Sequence, residues 1–72
     1  MLTVDDIFAY TERVIAEDRL SGNRAGLLNT QRSCGYLMTA AEFAGDKESA
    51  RHFRILAAQA ANKNEELAKE RP

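Results

Sequence analysis

Apolar residues recur at helical spacing in three stretches of this chain, separated only by Ser21-Gly22-Asn23 and Gly45-Asp46. In the first stretch Val4, Ile7, Phe8, Tyr10, Val14 and Ile15 cover an arc of roughly 160° when plotted at 100° per residue. That arc is wide enough to touch two neighbours. The middle stretch divides into two faces. Leu27, Thr30, Cys34, Leu37, Met38 and Ala41 fall on one side, and Leu28, Arg32, Tyr36, Thr39 and Phe43 on the other. The third stretch carries Ala50, Phe53, Leu56, Ala57, Ala60, Ala61, Leu67 and Ala68 along one side. So many alanines let two helix axes approach closely, with Phe53, Leu56 and Leu67 as the larger knobs.

The junctions have the chemistry of helix ends. Thr3 can cap a helix whose first turn holds Asp5 and Asp6, acids that suit the positive end of the helix dipole. Gly22 and Asn23 tolerate the left-handed turn that ends a helix, and Asn23 or Ser21 can cap the next one. Gly45-Asp46 repeats the device, and Lys69 and Arg71 suit a last turn. No hairpin dipeptide and no period-two alternation occurs. The pattern predicts an all-α fold of one domain spanning residues 1–72, with helices at about 4–20, 24–44 and 47–69. Helices 2 and 3 form an antiparallel hairpin. Helix 1 either packs back on it as a three-helix bundle or crosses to a second subunit. A homodimer is the expected state, since one short central helix has two faces to cover.

Composition narrows the class. With 44% apolar and 29% charged residues, ten basic and eleven acidic side chains and a net charge of −1, the chain does not read as a coat for nucleic acid or anionic lipid. Charge is unevenly spread: residues 1–18 hold five acids against Arg13, a sum of −4, while residues 19–34 hold Arg19, Arg24 and Arg32 with no acid. No run approaches the roughly 20 apolar residues of a membrane span, and the amino terminus lacks a basic-then-apolar leader. Cys34 stands alone, which excludes an intrachain disulfide. The expected location is the cytoplasm.

Candidate chemistry is sparse. His52 is the single histidine and plots on the side of helix 3 opposite Ala50 and Ala57, where solvent is expected. Glu48, four residues earlier, is one ordinary surface partner and no ligand set. Cys34 on the apolar side of helix 2 reads as a buried, inert thiol. The loop from Ser21 to Gly26 has the general setting of an anion cradle but neither phosphate-loop spacing nor a preceding strand. The adjacent acid pairs Asp5/Asp6, Glu17/Asp18 and Glu65/Glu66 diverge by about 100° on a helix and cannot converge as a catalytic dyad. No catalytic, metal or cofactor site is expected.

The residues hardest to place in a private core are Tyr36 and Phe43, one heptad apart. Either helix 1 covers them or they meet a partner, since aromatics and arginine are enriched where interfaces anchor. Arg32, Tyr36, Phe43, Ile55, Arg51 and Arg24 are the expected partner-binding residues. The expected function is that of a non-enzymatic interaction module that binds and modulates a larger protein or other macromolecule, inhibition being one form of that modulation. Small helical proteins of this size include phage- and plasmid-encoded inhibitors, an analogy of class that no particular residue carries. One alternative is a nucleic-acid-binding regulator using Arg19, Arg24, Arg32, Lys47, Arg51 and Arg54; another is an accessory subunit of a complex.

Overall fold

The computed structural model describes residues 1–70, so the expectation for Arg71 lies outside the described residues, and it shows three helices: α1 (Val4–Ser21), α2 (Arg24–Phe43) and α3 (Lys47–Glu70). Each observed boundary lies within one residue of its expected position. Local hydrogen bonds account for this agreement. Thr3 Oγ1 accepts from the Asp6 amide at 3.2 Å while Asp6 Oδ2 accepts from the Thr3 amide at 3.0 Å, a reciprocal capping box.

The two interhelical junctions are built alike. Gly22 and Gly45 have φ of 73° and 79°, a left-handed conformation that costs glycine nothing. Beyond each glycine the next amide reaches back six residues inclusive, Asn23 to the Asp18 carbonyl at 2.8 Å and Asp46 to the Ala41 carbonyl at 2.9 Å. The same two residues then cap the following helix: Asn23 Oδ1 accepts from the Gly26 amide at 2.9 Å, and Asp46 Oδ1 from the Ser49 amide at 3.1 Å. One side chain closes one helix end and opens the next. Junctions this short return each helix along the one before it.

The order is therefore up, down, up. The α2–α3 hairpin carries the most extensive packing, and α1 lies against both of its helices. Phe8 meets His52 and Phe53, and Arg19 near the end of α1 meets Glu66 and Glu70 near the end of α3, so these two helices run parallel. Phe8, Ile15, Leu27, Cys34, Phe53, Leu56, Ala60 and Leu67 form the core, one contribution or more from every helix. Ala50 and Ala60 of the small-residue stripe of α3 are buried. Helix 1 packs on both helices of the hairpin within the one chain described.

Two expectations for side chains need correction. His52 is half-buried rather than in solvent, because α1 lies over that side of α3 and its Phe8 ring stacks on the imidazole with centroids 3.7 Å apart and planes 19° from parallel. Tyr10 is 69% exposed although it belongs to the apolar arc of α1. Three helices leave the edge of a wide arc without a neighbour. No helix among the described residues is long and apolar enough to cross a membrane.

Candidate interaction surface

Helix α2 turns Leu27 and Cys34 inward, both essentially without solvent contact. A residue half a helical circumference away from them has no neighbour, since α1 and α3 both occupy the inner side. Tyr36 and Phe43 stand there, 77% and 95% exposed. Neither ring is covered by helix 1. Arg32 is exposed on the same face, as are Ala25, Asn29, Thr39 and Ala40, and Leu28 lies at its margin. Ala25, Asn29, Arg32, Tyr36, Thr39 and Phe43 follow one another at steps of four and three and so form one stripe of α2.

The remaining expected contacts do not gather at one place. Phe43, the last residue of α2, sits at the hairpin elbow, and Arg51 lies nearby in a groove of about 490 Å³ with Glu42, Gly45, Lys47, Ala50 and Arg54. Lys47, Arg51 and Arg54 share one stripe of α3 and have no ion-pair partner among the described residues. Ile55 is 49% exposed and borders a different groove, with Glu48, Arg51 and His52. Within one chain it is therefore separated from the Tyr36 and Phe43 face.

Arg24 is engaged internally, its Nε donating to Asn64 Oδ1 at 2.7 Å. Arg19 is likewise occupied: its guanidinium donates to Glu66 at 3.1 Å and to Glu70. These bonds raise the Arg19 pKa, and the Arg19 contact holds the Glu66 carboxyl below its usual range. Of the basic residues weighed for nucleic acid, Lys47, Arg51, Arg54 and Arg32 have no such partners among the described residues.

The loop before α2 does not form an anion cradle. Asn23 Oδ1 takes the Gly26 amide, and the Asp18 carboxylate stands beside it, accepting from Asn23 Nδ2 at 3.4 Å and approaching the space above Gly26. A second negative charge there meets one already present.

The shoulder between α1 and α2 is an open groove of about 310 Å³. Ile7, Tyr10, Val14, Thr30 and Leu37 contribute its walls, and Cys34 lies at its base. Burial pushes the Cys34 thiol pKa up, so the nucleophilic thiolate is disfavoured. Tyr10 and Asn29 both line this groove, which brings a third exposed aromatic next to the α2 face. Its position at the edge of the α1 arc was the one sequence signal for this. Among the described residues no group of three or more His, Cys, Asp or Glu side chains converges on a common point. No family model, curated protein or solved structure matches the chain.

Proposed function

We propose that this chain is a non-enzymatic interaction module that docks through the outward face of α2 and modulates a larger protein partner, in the manner of small phage- or plasmid-encoded inhibitors. The single observation that carries this reading is the exposure of Tyr36 and Phe43 on a capped helix anchored by its opposite side. A rigid helix presents two rings at fixed spacing with little ordering cost on binding, and aromatic rings supply large contact areas. Arg32 beside them adds a charge-assisted donor suited to an interface centre. The acidic α1 lies on another side and complements a basic partner surface, which favours orientation more than affinity.

The test is comparative capture from the native host with wild type and the Tyr36→Ala/Phe43→Ala double variant. Loss of a bound protein by the variant, with unchanged far-ultraviolet circular dichroism, supports the reading. An identical set of captured proteins from both refutes it.

A second reading has one observation in its favour, the stripe of Lys47, Arg51 and Arg54 in the elbow groove. As a nucleic-acid contact it predicts affinity for duplex or single-stranded probes that falls steeply between low and moderate salt, because each neutralised phosphate releases counterions. A flat or absent response removes it.

A further inference from the structure

The α2 face has a seam geometry and a charge order that together name an occupant. Ala25, Asn29, Arg32, Tyr36, Thr39 and Phe43 follow one another at spacings of 4, 3, 4, 3 and 4, and all six are exposed. Over the 20 residues of α2 this is close to three heptads of unpartnered seam. The charges beside it run against the helix dipole. No acid occupies the first turn and no base the last; the amino-terminal half carries Arg24 and Arg32, and Glu42 stands at the carboxyl end. Among the described residues neither Arg32 nor Glu42 has an ion-pair partner.

We propose that a second copy of this chain covers the face, with the two α2 helices antiparallel about a twofold axis. This rests on the reading of the face as a docking surface: the two copies cover it reversibly until the larger partner displaces one of them. In a parallel pair Arg32 would face Arg32 of the second copy and the dipoles would align. An antiparallel pair reverses both. Arg32 comes level with Glu42 of the second copy when the axis passes at the height of Leu37, midway between them in sequence. Flanks of the same side meet in such a pair, and Arg32 and Glu42 share a flank.

The same register serves the aromatics. Tyr36 lies one residue from the axis, so its ring meets Tyr36 of the second copy with an offset of about 3 Å along the helix, within reach of offset stacking. Phe43 comes beside Arg32 of the second copy, where a guanidinium can lie over the ring. Four such rings bury about 600–1,000 Å² between them. With Arg32, Thr39 and Leu28 added, the pair reaches the lower bound of a specific interface, about 1,200 Å². A reversible dimer is the consequence.

Sedimentation equilibrium on the full chain, from micromolar to millimolar concentration, reads this directly. The expected result is a mass that rises from the 8.0 kDa monomer to twice that value. Tyr36→Ala/Phe43→Ala stays monomeric throughout with unchanged helicity. Arg32→Glu and Glu42→Arg each weaken association by roughly threefold to thirtyfold, since symmetry makes every change twice, and the double exchange restores it. Both charged positions are exposed, so these variants keep the fold.

A monomer at millimolar concentration overturns the proposal, as does an assembly unaffected by loss of the two rings or a double exchange that restores nothing. A monomeric wild type that still captures a protein through Tyr36 and Phe43 ends self-pairing alone. Loss of that capture difference ends the docking reading.

Discussion

Replacing Leu56 with alanine tests the assignment of the inner face of α3. Leu56 is 1% exposed and belongs, with Leu27 and Cys34, to the largest fully buried side chains. The change removes three carbons, worth about 2.4 kcal/mol at roughly 0.8 kcal/mol each. It also leaves a cavity. The surroundings collapse only in part, because α2 and α3 already pack extensively along their length. Leu56→Ala is therefore expected to cost about 3–4 kcal/mol, within the range for such substitutions.

A chain of 72 residues has a total stability on the order of 3–5 kcal/mol, so the variant should sit near its unfolding midpoint without denaturant. Urea melts followed by circular dichroism, at protein concentrations low enough that association adds nothing, measure the difference. Ile55→Ala is the control. That side chain is 49% exposed and points about 100° away from Leu56 around α3, and its loss should change stability by no more than about 0.5 kcal/mol. A Leu56→Ala melt that overlays wild type, or an Ile55→Ala cost equal to that of Leu56→Ala, would show that the buried face has been misassigned.

Gly35→Ala should stabilise α2 by about 0.5–1 kcal/mol, since a methyl group there meets nothing within 4 Å and glycine is the poorer helix former; a lowered melting temperature would contradict this. Asp46 accepts from both the hydroxyl and the amide of Ser49, which lowers its pKa below the ordinary 3.8. A carboxyl depressed in the folded state stabilises above its unfolded pKa, and that contribution is lost as pH falls through the folded value. Asp46→Asn should flatten the acid limb of the stability–pH curve below about pH 4, and an unchanged limb would refute the linkage.

Helix ends and helix faces were legible in the chain because both depend on residues a few positions apart. Thr3, Asn23 and Asp46 cap the helices that their spacing to neighbouring amides announces, and Gly22 and Gly45 adopt the left-handed turns expected of them. The inner faces of α2 and α3 were readable from helical periodicity, and Leu27, Cys34, Phe53, Leu56, Ala60 and Leu67 are buried accordingly. Ile55 was readable as an outward residue by the same plot.

Which face another helix covers is a different quantity, set by the direction α1 takes across the hairpin. Periodicity gives the angle of a side chain about its own axis and nothing about the neighbour it meets. The sequence alone determined three capped helices and the faces each must bury. The tertiary structure decided that α1 packs in cis on the inner side of α2, stacking Phe8 on His52 and engaging Arg19 with Glu66 and Glu70, because only the relative placement of helices says which apolar surface is removed from water. That placement is why Tyr36 and Phe43 remain outside.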